Sequence, residues 1–192
     1  MTTLTRFAAI EATPEGDGMT FTGLAVPYGA VVTIRGETPD AYDETFALGA
    51  FAKTLRERNK PVQLLKSHDY RDWPIGGAEG LQETPEGLVG TWRLSDTERG
   101  REAATLIRDG VLGGLSIGFE PMANKVTKGK ERLAGRDLVT RTEVKLREVS
   151  LCTFPAYELA GVTGQRSLGG RSLTELAAQR AQLVDRFGRV KR

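Results

Sequence analysis

The sequence predicts a β-dominated α+β fold, and this prediction depends on the periodicity of its apolar residues. In residues 115–119 and 138–153 apolar and polar residues alternate, which is the period of a strand with one buried face. Within residues 1–163 helical spacing occurs in two segments that lie between strands. The apolar content of 39%, against 27% charged residues, is ordinary for a soluble globular protein, so 192 residues suit one compact domain followed by a tail.

The amino-terminal half contains a strand, a helix and a second strand, in that order. Residues 20–26 combine β-branched and aromatic residues and lead into a proline, which predicts a strand that ends in a loop. Apolar residues recur at helical spacing over residues 46–58, where we predict a helix. Residues 62–66 are a short apolar run after a proline, which is typical of a strand. This second strand places His68 at the start of a turn-rich loop.

A hairpin and a second helix are predicted next. Residues 75–81 and 88–94 are apolar segments separated by QETPEG, whose proline and glycine fit the turn between two antiparallel strands. After them Ser95 or Asp96 can cap a helix that carries an apolar stripe and ends near Gly110.

The last predicted elements of the domain are two strands joined by an exposed tip. The first strand covers residues 115–119, and Pro121 limits its extent. Residues 125–136 are basic and contain glycine, which indicates a solvated hairpin tip. The second and longer strand covers residues 138–153.

A change of composition near Gly164 predicts a domain boundary. The segment AGVTGQRSLGGR is rich in glycine and serine, as flexible linkers are. The residues after it place leucine and valine on one helical stripe. We therefore divide the chain into a domain of residues 1–163 and a flexible linker with a carboxy-terminal helix in residues 164–192.

Composition argues against several classes of function. The formal net charge of +2 is too near balance to indicate nucleic acid or an anionic membrane as the main partner. No apolar run approaches the roughly 20 residues that span a bilayer, so we expect a cytoplasmic protein without membrane association. One cysteine and one histidine provide neither an internal disulfide nor a recognisable zinc site. We expect no metal or other cofactor, and we expect Cys152 to be a core residue.

One short motif indicates serine chemistry, and its place in the chain restricts the kind. Residues 114–118 read GLSIG, which matches the G-x-S-x-G pattern of α/β-hydrolases. In that fold the serine follows a strand and precedes a helix, and the histidine comes later in the chain. Here a helix precedes Ser116, and the single histidine, His68, lies upstream. This order excludes an α/β-hydrolase triad and disfavours an esterase, while the glycine and cysteine signatures of chymotrypsin-like enzymes are missing.

Five segments resemble the prohead protease family of tailed phages. In chain order they are GLAVPYG, DETFALGAFAKTL, VQLLKSHDYRDWPIG, GVLGGLSIGFEP and LREVSLCTFPAY, and together they cover roughly residues 20 to 160. Several segments in the right order are far more specific than one motif. Because this family resembles the herpesvirus capsid-maturation proteases, the resemblance implies a mostly antiparallel, assemblin-like β-barrel surrounded by helices.

The resemblance also implies the residues of a catalytic site. The histidine in LLKSHD is His68, which would be the general base, and the serine in GLSIGF is Ser116, which would be the nucleophile. Herpesvirus enzymes orient the base with a second histidine, which this chain lacks. A carboxylate can take that role by accepting the imidazole N–H, and Glu148 in LREVSL is our choice. Asp69 and Asp72 remain alternatives, and the oxyanion donors are not assigned.

The function that the resemblance implies is capsid maturation. A serine endopeptidase of this family would cleave the major capsid protein or scaffold segments, and itself, through an acyl-enzyme. It would act inside assembling proheads in the host bacterial cytoplasm, as a homodimer or a higher oligomer. The alternative from another class is a non-enzymatic capsid assembly or scaffolding protein with the same fold.

Overall fold

The computed structural model describes residues 4–15, 17–35 and 37–153, with side chains from Asp17 onward. These ranges contain nine strands, two α-helices and one 3-10 helix. In chain order they are β1 (Leu4–Glu15), β2 (Thr20–Pro27), β3 (Val32–Ile34), β4 (Tyr42–Phe46), α1 (Ala52–Glu57), β5 (Gln63–Lys66), β6 (Gly76–Thr84), β7 (Gly87–Leu94), α2 (Glu98–Arg108), β8 (Gly114–Thr127), the 3-10 helix (Gly129–Glu131) and β9 (Leu138–Cys152). None of the helices in these ranges is long and apolar enough to cross a membrane.

The strands form a curled β-sheet in which β9 is the central element. Along one edge β9 pairs antiparallel with β8. Along the other edge it pairs in parallel with β4 and then with β5. From β5 the pairings continue through β6, β7, β2 and β1 and return to β8, so the sheet curls back on itself. The β-dominated prediction is therefore confirmed, with few helices in the described part of the chain.

The apolar core lies on one face of this sheet and fixes which residues face the other way. Leu115, Ile117 and Phe119 of β8 are fully buried in the core. Because successive side chains of a strand point to opposite faces, the residues between them are directed away from the core. Ser116 and Gly118 therefore lie on the opposite face of β8.

Most predicted elements are confirmed. The strand at residues 20–26 is β2, the strand at 62–66 is β5, and the predicted hairpin is β6 and β7. The basic tip also lies where it was expected, between the end of β8 and the start of β9. The structure adds β1, β3 and β4, which the sequence analysis did not identify, while the predicted carboxy-terminal linker and helix lie outside the described residues.

The helix predicted over residues 46–58 is wrong in its first half. Phe46 ends the strand β4, and the chain then turns through Gly49 at a φ of 89° before α1 begins at Ala52. Phe46 and Phe51 are both buried, with ring centroids 5.7 Å apart. Ala50, four residues after Phe46, is buried in the same core, so a strand end and a turn give these residues the spacing of a helix face.

Two predicted boundaries also need correction. The cap of α2 is Thr97, whose hydroxyl accepts the backbone N–H of Gly100 at 3.2 Å, and not Ser95 or Asp96. Strand β8 does not stop at Pro121 but continues to Thr127. Proline is tolerated there because the register of β8 and β9 shifts next to it, and because β1 pairs with β8 only up to Phe119 among the described residues.

A buried carboxylate holds the hairpin tip against the sheet. Asp43 of β4 is 3% exposed and accepts hydrogen bonds from Arg132 at 2.8 Å, from Arg136 at 3.0 Å and from Thr33 at 2.9 Å. Burial acts to raise the pKa of Asp43, but the two arginines and the threonine outweigh it and lower that pKa below 3.8. The charged form of this carboxylate is therefore the one that the fold stabilises.

We expect Asp43→Asn to lower the free energy of unfolding by about 2 kcal/mol, because two arginines lose their buried counter-charge. Since the folded pKa of Asp43 is lowered, its contribution is present above about pH 4 and disappears as the pH falls through the folded value. Urea unfolding at pH 7 and at pH 3 measures both effects. The control is Asp17→Asn, which breaks an exposed pair with Arg93 and should change stability far less. Equal losses at both pH values would contradict the assignment.

Candidate active site

Three side chains from three strands or their ends form a continuous hydrogen-bonded line. The Oγ of Ser116 lies 2.5 Å from Nε2 of His68. On the other side of the imidazole, Nδ1 of His68 lies 2.7 Å from Oε1 of Glu148. Ser116 is fully buried, Glu148 is 1% exposed, and the side chain of His68 is 14% exposed. This is the arrangement of a nucleophile, a base and an acid that orients the base.

The pairing of β8 with β9 places the serine and the glutamate on one face. Ser116 stands opposite Ser150, and Gly118 stands opposite Glu148. Residues paired across an antiparallel ladder share a face of the sheet, so these four residues lie together, away from the apolar core.

His68 follows the end of β5, which pairs in parallel with the same strand β9. Lys66 is the last residue of β5, and Ser67 and His68 follow it at φ angles of 49° and 57°. Residues other than glycine seldom adopt this left-handed conformation, which costs backbone energy and occurs often at active sites. Here it turns the chain sharply enough to direct the imidazole back over β8 and β9.

The second glycine of the GLSIG motif makes room for the acid. A Cβ atom added to Gly118 would overlap the carboxylate of Glu148 and the hydroxyl of Tyr70. In this strand Gly118 lets the side chains of Glu148 and Tyr70 come close to the backbone. The corresponding glycine of α/β-hydrolases instead allows a tight turn.

Two groups near the carboxyl group of Glu148 keep their protons at neutral pH. Its Oε1 also accepts a hydrogen bond from the hydroxyl of Tyr70 at 3.3 Å. Burial, and then the charge of Glu148, raises the pKa of Tyr70 to about 12, so the phenol keeps its proton and donates it. Cys152, two strand positions beyond Ser150, is buried as predicted, and burial and Glu148 raise the pKa of its thiol to about 12. The thiol is therefore protonated at neutral pH and is a poor nucleophile.

Comparison with known proteins identifies the family. The family model described as "Caudovirus prohead serine protease" matches residues 8–170 of this chain. The chain belongs to the caudovirus prohead serine protease family. This result confirms the resemblance that five separate segments indicated.

Two known proteins are similar to this prohead protease family member, one in sequence and one in fold. The prohead protease of Enterobacteria phage HK97 is 28% identical over 123 residues, which are 64% of this chain and 52% of that protein. The chain thus spans about half the length of this curated relative. The solved structure of the bacteriophage T4 capsid assembly protease superposes with a TM-score of 0.52 at 14% identity, covering 80% of this chain and 98% of that one. At this identity the likeness concerns the fold alone.

The structure of this prohead protease family member separates the three candidate acids. It brings Glu148 to the imidazole and leaves the two aspartates engaged elsewhere. Asp69 accepts the backbone N–H of Arg71 at 3.0 Å. Asp72 accepts the backbone N–H of Trp73 at 2.8 Å and forms an ion pair with Arg99.

Sequence reasoning missed two residues of this site, Tyr70 and Ser150. Ser150 follows Glu148 by two positions in a strand, and this spacing alone indicates that both face the same side. Tyr70 gives no such signal, because the loop after His68 has no period that predicts where its side chains point.

Proposed function

We propose that this protein is a serine endopeptidase that cleaves capsid or scaffold protein, and itself, during prohead maturation. The observation that carries the proposal is the unbroken hydrogen-bonded line from Ser116 through His68 to Glu148. Family membership agrees with it, because the family is described as one of serine proteases. Glu148 takes the part for which herpesvirus enzymes use a second histidine.

The proposed reaction proceeds through an acyl-enzyme. The Oγ of Ser116 forms a bond to the carbonyl carbon of the substrate while its proton passes to Nε2 of His68. The imidazolium then donates this proton to the leaving amine as the peptide bond breaks. Water attacks the ester by the same steps in reverse and releases the new carboxyl group. Throughout the reaction Glu148 accepts a hydrogen bond from the Nδ1–H of His68 and stabilises the positive charge of the imidazolium.

The names of the relatives support the setting of this reaction. One is called a prohead protease and the other a capsid assembly protease, so we infer that the substrates here are the major capsid protein or scaffold segments. We further propose that the curled sheet is an assemblin-like barrel. In this proposal a protease domain of residues 1–163 acts as a homodimer or higher oligomer within assembling proheads in the host cytoplasm, and residues 164–192 are a linker and helix.

A serine-directed fluorophosphonate tests this function on the unmodified protein. We expect one phosphonyl group on the tryptic peptide that carries Ser116 and a parallel loss of capsid-protein cleavage. The exposed Ser95 is an internal control, and it should stay unlabelled. Cleavage that persists after complete labelling of Ser116, or an unlabelled Ser116 in protein that does not cleave, would favour the scaffolding alternative.

A further inference from the structure

Ser150 contacts two of the three proposed catalytic residues without touching the reacting atoms. Its Oγ lies 3.0 Å from the backbone nitrogen of His68 and 2.7 Å from Oε2 of Glu148. The residue is fully buried and stands directly opposite Ser116 in the ladder between β8 and β9. Its position is thus fixed by the same two strands that place Ser116 and Glu148.

The direction of each hydrogen bond follows from the donors present. A backbone N–H only donates, so the Oγ of Ser150 accepts from His68 and has one proton left, which it donates to Oε2 of Glu148. Tyr70 donates to the other oxygen, Oε1. Glu148 is therefore an acceptor at both oxygens, so Nδ1 of His68 donates its proton to Oε1. Nε2 is then left without a proton and accepts the hydroxyl of Ser116.

These contacts form a closed ring that begins and ends at His68. The ring runs from the backbone N–H of His68 to Ser150, then to the carboxylate of Glu148, and back to the imidazole. It encloses the residue whose backbone is in the left-handed conformation, at a φ of 57°. Without the Ser150 hydroxyl, that N–H loses its acceptor and one oxygen of Glu148 loses the donor that fixes its rotation.

We propose that Ser150 is a positioning residue, which holds His68 in the rotamer and tautomer that can accept a proton from Ser116. It acts through Glu148 and through the backbone of His68. The consequence for catalysis rests on the proposed function, whereas the consequence for the tautomer of His68 does not.

The tautomer can be measured directly because the chain has a single histidine. In protein labelled with ¹⁵N-histidine, we expect the wild type to carry its ring proton on Nδ1, with a slowly exchanging Nδ1–H signal. Ser150→Ala should lose that signal and populate both tautomers. Ser150→Thr, which keeps the hydroxyl, should retain it, and Ser150→Cys, a weaker donor of similar size, should be intermediate. Identical histidine spectra for the wild type and a folded Ser150→Ala or Ser150→Cys variant would overturn the proposal.

The rate of fluorophosphonate labelling at Ser116 gives the second measurement. We expect Ser150→Ala to lower it about 10-fold to 100-fold, the usual effect of losing a hydrogen bond to a charged group, and Ser150→Thr to restore most of it. The matched control is Thr45→Val, which removes a buried hydroxyl that has no hydrogen-bond partner in the described part of the chain and should leave the rate unchanged. If the wild type is not labelled but its histidine spectrum still depends on Ser150, the proposed function fails and the positioning role stands. An unchanged labelling rate in Ser150→Ala would contradict the role in catalysis.

Discussion

Replacing Ser116 with alanine should abolish processing of the major capsid protein when the two proteins are co-expressed. The variant removes the only atom in the line that can form the acyl bond, and loss of a serine nucleophile lowers kcat by about 10⁶-fold in well-studied serine proteases. Ser116 is fully buried on a strand, and alanine fits the space that it leaves. The measurement is the mass of the capsid protein after purification, with and without the truncation made by the wild type.

His68→Ala provides the paired test, because residues that act as a unit lose nearly the same activity when either is removed. The double variant should be no slower than either single variant. Ser95→Ala, an exposed serine at the end of the β6–β7 hairpin, is the matched control and should process the capsid protein normally. Truncation by Ser116→Ala at the wild-type rate would refute the assignment of the nucleophile.

Replacing Glu148 with glutamine should lower kcat by about 10⁴-fold, as the loss of the orienting acid does in the Ser-His-Asp enzymes. Glutamine has the same shape, but only one of its two terminal atoms can accept a hydrogen bond. Glu148 receives donors at both oxygens, from His68 and Tyr70 on one side and from Ser150 on the other. In either orientation of the amide, its NH₂ group therefore faces one of these donors and cannot accept its hydrogen bond. When the NH₂ faces the imidazole, it favours the tautomer with the proton on Nε2, which cannot accept the proton of Ser116.

The control for this variant is Glu120→Gln. Glu120 is also a buried glutamate of the same strand pair, but its carboxylate binds Arg147 and not the histidine. Its variant should keep kcat within about tenfold of the wild type while it lowers stability. Steady-state cleavage of a capsid-derived peptide compares the two, and a Glu148→Gln variant as active as Glu120→Gln would eliminate Glu148 as the orienting acid.

The sequence could predict the pair of His68 and Ser116 because so few residues were eligible. The chain has a single histidine, and it precedes the serine of the GLSIG strand, so a Ser-His site can only have the order histidine, then serine. The five segments that resemble the family agree with this order. The acid was harder to predict, since Asp69 and Asp72 lie close to His68 in sequence, whereas Glu148 reaches the imidazole only because β5 and β8 both pair with β9.

What the sequence could not show depends on contacts between distant segments. The helix predicted from Phe46 fails because that residue completes a parallel pairing with β9, which lies far away in the chain. The left-handed backbone of His68 could not be read from residue type, because residues other than glycine adopt it in only a few per cent of cases, even though histidine is enriched among them. The role of Gly118 was likewise hidden, since a glycine in a strand does not reveal which side chain needs the space.

The pairing of β5 and β8 with β9 also affects how cooperatively the site unfolds. Ser116, Glu148 and Ser150 lie within paired strands whose other face packs on the apolar core, and we expect their main-chain amides to exchange with deuterium only when the whole domain unfolds. We therefore expect loss of the site in denaturant to coincide with global unfolding, without an earlier local opening. We expect such a site to stay assembled in the native protein. In the function proposed above, control before capsid assembly would then act on the approach of the substrate and not on the order of the site itself.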